Sequence, residues 1–372
     1  MFNISLVIFL FLSPILFLPL SVPAVATLQW YQFGYFTNNI EVVQLQIFMY
    51  GIFLLMVIAL FNKPKRLFGD NYFRFILLIC FLSIYGHPNT IKIFPIIFLG
   101  FLLYYLVSVM FDVKNLKCFF WIIALVSFIN TFFSIMQFFN IHFLMFKYEE
   151  IIGLMGYKTQ LGIYQGLALP ICFTLNPWLS IIPAIGLLLS NSATAIVASS
   201  AGMIYLLWKK GLRINSIPIW QVFIIISFYF SYAHWGKLEI RLEAWREVFN
   251  SGVNHFFKGN GIGSFHYVYM EKINGSGQLW PVTYTDPYSV YFEVFYNLGI
   301  FGLILFLFFV FSKFIGYKKD NPYILALVSS CIVLVISGFF YSFMDYPRLA
   351  GTAIVLFGLL TAIKQEDKKS CC

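Results

Sequence analysis

The sequence predicts an all-α protein, a polytopic membrane helical bundle of about 12 transmembrane helices with one long outer loop between spans nine and ten. Three observations carry that prediction. Hydrophobic residues fill 60% of the 372 positions and charged residues only 10%, and mean hydropathy is +0.84; a soluble fold could not cover so much apolar surface with polar side chains. Apolar runs approaching the roughly 20 residues that cross a bilayer recur from end to end. Lysines and arginines fall in alternate connections between those runs, which fixes a topology.

The runs lie near residues 4–25, 42–61, 72–86, 91–111, 117–139, 160–175, 177–190, 193–208, 217–234, 288–312, 322–341 and 349–363; the third, sixth and seventh are short. With Met1 inside, the inner connections carry Lys63, Lys65, Arg66, Arg74, Lys114, Lys117, Lys209, Lys210, Arg213, Lys313, Lys318, Lys319, Lys364, Lys368 and Lys369. That is 15 of 24 basic residues, and five of the other nine sit in one long loop that the positive-inside rule does not count. The net charge of +9 therefore reads as a topology signal facing anionic headgroups. No dense basic run with interleaved aromatics points to nucleic acid.

The first run reads as a retained span. Ala24-Val25-Ala26 resembles a cleavage site, but no basic residue precedes the run. Cys80, Cys118, Cys172 and Cys331 lie in or beside spans and imply no disulfide framework. Cys371 and Cys372 close a basic stretch and are given no role. The chain reads as a single transmembrane domain over 1–372, with its longer connections at 140–159 and 235–287, both on the outer side.

The 235–287 loop opens on a helix in which Leu238, Leu242, Trp245 and Phe249 form an apolar stripe. Arg241 and Arg246 fall on opposite borders of that stripe, each about 60° away, as in a helix lying in the membrane interface. Alone, such arginines read as residues snorkelling to lipid phosphates. The turn GNGIGSF follows, with Gly261 and Gly263 either presenting N–H groups to an anion or letting the chain reverse.

Span ten begins TDPYSVYFEVFYNLGIFG, where Ser289, Glu293 and Asn297 recur every four residues as a polar stripe. A carboxylate there costs a few kcal/mol if it faces lipid, so Glu293 is expected to face the bundle interior or a water-filled cavity, for function or for a structural ion pair. Asp345 and Arg348 either pair locally or join a charged site. Ser192, Ala195, Ser199 and Gly202 form a small-residue face for close helix packing. Five scattered histidines give no zinc spacing, and no P-loop, HExxH, GxSxG or DxD motif is present. No metal or cofactor is expected.

In order and spacing, RLEAW at 241–245, GNGIGSF and DPYSVYFEVFYNLGIFG at 286–302 resemble the O-antigen ligase and O-antigen polymerase family of bacterial envelope enzymes. Leu298, Gly299 and Gly302 match its Leu-Gly-x-x-Gly signature, and weaker similarity extends over 150–365. Two positions depart from the family: Tyr288 stands where it usually has a histidine, and Ala193 and Thr194 replace an arginine and a small residue.

The resemblance implies a multi-pass protein of the bacterial inner (cytoplasmic) membrane, with its active site facing the periplasm and residues 235–287 as a periplasmic loop. It implies a glycosyltransferase that moves glycan from a polyprenyl-diphosphate carrier to an acceptor hydroxyl on a glycan, a lipid A core or a protein. Arg241 and Arg348 are then the catalytic cations, with Arg246 beside them. Glu293 or Asp286 acts on the acceptor in place of the missing histidine. Tyr288, Ser289, Asn297, Asp345, Gly261 and Gly263 are the expected substrate contacts. Polymerase is preferred and ligase stays open. A transporter or flippase for a lipid-linked or anionic solute is the reading of another class.

Overall fold

A computed structural model describes residues 90–141, 151–211, 235–261, 264–265, 287–315, 321–342 and 347–370. The first three expected spans and the ninth lie outside the described residues, as do Gly263, Asp286 and Asp345. Everything described is helix, turn or irregular chain. Among the described residues nine α-helices form: α1 (Thr90–Met110), α2 (Leu116–Phe138), α3 (Lys158–Leu175), α4 (Ile181–Leu189), α5 (Ala193–Lys209), α6 (Trp235–Gly252), α7 (Val290–Ser312), α8 (Pro322–Ser337) and α9 (Pro347–Ser370). Eight of them coincide with expected apolar runs and α6 with the expected interfacial helix.

Among the described residues three helical stretches are long and apolar enough to cross a membrane: Val113–Phe138, Val290–Ser312 and Leu349–Glu366. The shorter apolar helices α5 and α8 pack on each other and on α3. The α2 helix is inside out by the standard of a soluble protein. Trp121, Leu125, Phe128, Phe132 and Phe139 form an exposed stripe, while Ser127, Asn130, Thr131 and Ser134 are buried on the opposite face. Phe301, Ile304, Phe308, Phe311 and Ile315 make a similar exposed stripe on α7. Such a surface belongs in lipid, where buried polar groups must find partners within the protein.

They do so. Ser127 Oγ donates to Gln165 Oε1 at 2.5 Å, and Gln165 Nε2 donates to Thr131 Oγ1 at 3.1 Å and to the Ser127 carbonyl at 3.2 Å. Thr131 in turn donates to the Ile182 carbonyl of α4 at 3.1 Å. This seam locks α2, α3 and α4 together. Gln165→Leu is expected to cost about 1–3 kcal/mol by stranding the hydroxyls it joins. Unfolding in detergent would measure it; a neutral effect would show that the seam adds no stability.

The predicted small-residue face of α5 is where the helices approach most closely. A side chain on Gly162 or Gly166 of α3 would strike Ala195 or Ser199, and one on Gly202 would strike the Ser329 carbonyl of α8. With its small residues matched in this way, α8 packs against both α3 and α5, and α9 against α1.

The bundle has two chemically different ends. At one, Lys210 Nζ lies 3.4 Å from Thr174 Oγ1, and burial lowers its pKa below the ordinary lysine value. Lys313 sits over the rings of Phe309 and Tyr104, and Lys364 Nζ donates to the Ser312 carbonyl at 3.0 Å. The last two cations cap the C-terminus of α7, where its dipole favours positive charge. At the opposite end lie the first turns of α3, α5 and α7, the last turn of α8 and the tyrosine pair Tyr157–Tyr341, stacked with ring centroids 6.3 Å apart.

Candidate functional site

The end away from the lysines gathers most of the described polar candidates. Its floor is the first turn of α5, where Ser192 caps the helix by accepting the Ala195 N–H at 3.4 Å. Arg241, half-buried, extends from α6 and donates from Nη1 to Thr194 Oγ1 at 3.0 Å. Arg246 is exposed on the other border of the helix.

The packing face of α6 differs from the expected stripe. Leu242 and Phe249 are about half exposed, whereas Ala244 and Val248 are buried and cluster with Phe265 and Tyr296. Small residues let α6 sit close on α7, so burial follows the 241–244–248–252 line and leaves the larger apolar side chains at the rim. Two aromatics of the predicted stripe meet α7: Trp245 stacks on Phe292 at 5.3 Å and an interplanar angle of 15°, and Phe249 on Phe295 at 5.8 Å and 17°. Phe292 directly precedes Glu293, so one turn of α6 separates the arginine from the tryptophan that meets the neighbour of the acid.

Glu293 lies half-buried in the first turn of α7, whose dipole favours a carboxylate. Before it, Tyr288 adopts φ +50, a left-handed conformation that is strained for a bulky residue. The start of α7 is tied to the turn after α8 by the Val290 N–H to Gly338 carbonyl bond at 2.9 Å. Around this junction Ser289 Oγ, Ser342 Oγ and Trp245 Nε1 are buried with no hydrogen-bond partner among the described residues. Each such atom costs about 1–3 kcal/mol in a finished core, and buried atoms of this kind gather where a protein receives something polar.

The described amides of the glycine turn are taken up within the protein. Helix α7 is broken at Gly299, whose φ of 68° and ψ of −171° are open to glycine alone, and the turn docks into the break. The Asn260 and Gly261 N–H groups donate to the Tyr296 and Asn297 carbonyls, both at 2.9 Å, and Ile300 N–H donates to the Phe256 carbonyl at 2.8 Å. The amide of Gly261 is therefore taken up by the helix break. Asn297, also expected to touch substrate, accepts through Oδ1 from Ser264 Oγ at 3.2 Å and from Phe265 N–H at 3.3 Å. It clamps the loop.

Arg348 stands in the first turn of α9. The arrangement thus brings Arg241, Tyr288, Ser289 and Glu293 to one end of the bundle, puts Arg246 at its rim and gives Gly261 and Asn297 to its scaffold. Sequence reasoning missed Thr194 as a partner of Arg241 and missed the buried hydroxyl of Ser342. No protein-family model matches this chain, and no curated protein matches it.

Proposed function

We propose that this protein is a membrane glycosyltransferase of about 12 spans that moves glycan from a polyprenyl-diphosphate carrier to an acceptor hydroxyl at the periplasmic face of a bacterial inner membrane, most simply as a surface-polysaccharide polymerase. The observation that carries this is the placement of Arg241. Its guanidinium is held on the first turn of α5, at the bundle end opposite the lysines, one helical turn from the tryptophan that packs beside Glu293. The positive-inside rule puts the lysine end in the cytoplasm and the Arg241 end outside.

In that reading the acceptor oxygen attacks the anomeric carbon, the bond from that carbon to the diphosphate oxygen breaks, and the diphosphate leaves with the electron pair. Arg241 stabilises the charge that grows on it, since a guanidinium stays protonated and presents paired N–H donors to phosphate oxygens. Glu293 takes the acceptor proton. Ser289 and Ser342 offer hydroxyls to the sugars, and Trp245 offers an indole N–H.

Mass spectrometry of the glycan on the carrier, in cells with and without the gene, tests the reading. Single repeat units accumulating on deletion mean a polymerase, and full-length chains accumulating mean a ligase. An unchanged carrier pool would sink the glycosyltransferase and favour the transporter. Glu293→Gln, nearly the same size but unable to take a proton, is expected to lower transfer about 10²–10⁴-fold with normal membrane levels. Full activity would remove Glu293 from the mechanism.

A further inference from the structure

We infer that Thr194 is the positioning residue that aims Arg241 at the diphosphate, an inference that rests on the glycosyltransferase reading. The hydroxyl of Thr194 accepts from Arg241 Nη1 at 3.0 Å across 47 residues of sequence. Thr194 is only 6% exposed, so its hydroxyl is held away from solvent and serves as a fixed point.

Two features make it an effective anchor. Threonine is branched at Cβ and has few rotamers in a helix, so its oxygen moves little. The turn that carries it is pinned: a Cβ on Gly162 of α3 would lie 2.7 Å from Ala195 Cβ and 3.1 Å from Ser192 Cβ, so the helices are in contact on both sides of Thr194. An unanchored arginine, by contrast, loses rotamer entropy each time it meets a ligand.

The test is a double-mutant cycle on the full chain in nanodiscs, with farnesyl diphosphate as the probe and its dissociation constant as the readout. Thr194→Val is expected to weaken binding about tenfold, the effect of one hydrogen bond to a charged group. Thr194→Ser is expected to stay within about twofold of the parent, because it keeps the hydroxyl. The double variant Thr194→Val, Arg241→Ala is expected to bind about as weakly as Arg241→Ala alone, since the hydroxyl acts only through the arginine.

Additive losses, or a valine variant that binds like the parent while Arg241→Ala is weakened, would overturn the role of Thr194 and leave the glycosyltransferase standing. Undiminished binding by Arg241→Ala would overturn both. If valine prevents folding, Thr194→Ala supplies the same comparison.

Discussion

Replacing Arg241 with alanine is expected to lower glycan transfer by about 10²–10³-fold, the usual effect of removing one preorganised group that stabilises transition-state charge. Insertion and folding are expected to survive, because α6 is held to α7 by Ala244, Val248 and Trp245. Arg241→Lys is expected to fall between parent and alanine: it keeps the charge and loses the planar fork. Arg246→Ala, at an exposed position, is expected to lower transfer by less than about tenfold. Rates of transfer at matched membrane levels measure all three. Equal losses at 241 and 246 would mean a diffuse basic surface acting on lipid headgroups and not a directed cation.

Gly299→Ala is expected to destabilise the protein by more than about 3 kcal/mol, one of the largest effects of any single methyl group in the chain. Two terms add. The φ and ψ at this position strain any residue with a Cβ, and that Cβ would lie 2.4 Å from the Phe257 carbonyl oxygen and 2.7 Å from Gly259 N. Neither neighbour is a flexible side chain that can give way. Gly211 is the control: its φ of +69 is nearly the same, but nothing lies within 4 Å of its added Cβ. Gly211→Ala should cost only about 1–2 kcal/mol, the left-handed penalty alone. Melting temperatures in detergent compare the two, and equal shifts would mean that no close crossing exists at Gly299.

Much of the scaffold was legible before any coordinates. Span limits follow from apolar run length and flanking lysines, properties local to each segment, and the Ser192–Ala195–Ser199–Gly202 face follows from helical periodicity. The candidate site was legible only in part. Arg241 and Glu293 stand out because charge is rare in this chain, but the partner of Arg241 is an ordinary threonine 47 residues away. The glycine turn shows why distance in sequence hides function. Its N–H groups invite an anion when read alone, and only the break at Gly299, some 40 residues later, shows what those of Asn260 and Gly261 bind. The packing face of α6 was not legible for another reason: the apolar stripe reads as the side turned to the membrane interface, and the contact with α7 includes the small residues beside it, Ala244 and Val248.

The buried polar seam of α2 ties that helix to segments later in the chain. Asn130 Nδ2 and Ser134 Oγ donate to carbonyls within α2, at 3.0 Å and 2.7 Å, whereas Ser127 and Thr131 meet Gln165 of α3 and the Ile182 carbonyl of α4. Half of the seam is satisfied by α2 alone and half only by its neighbours, so α2 is complete in hydrocarbon only within the bundle.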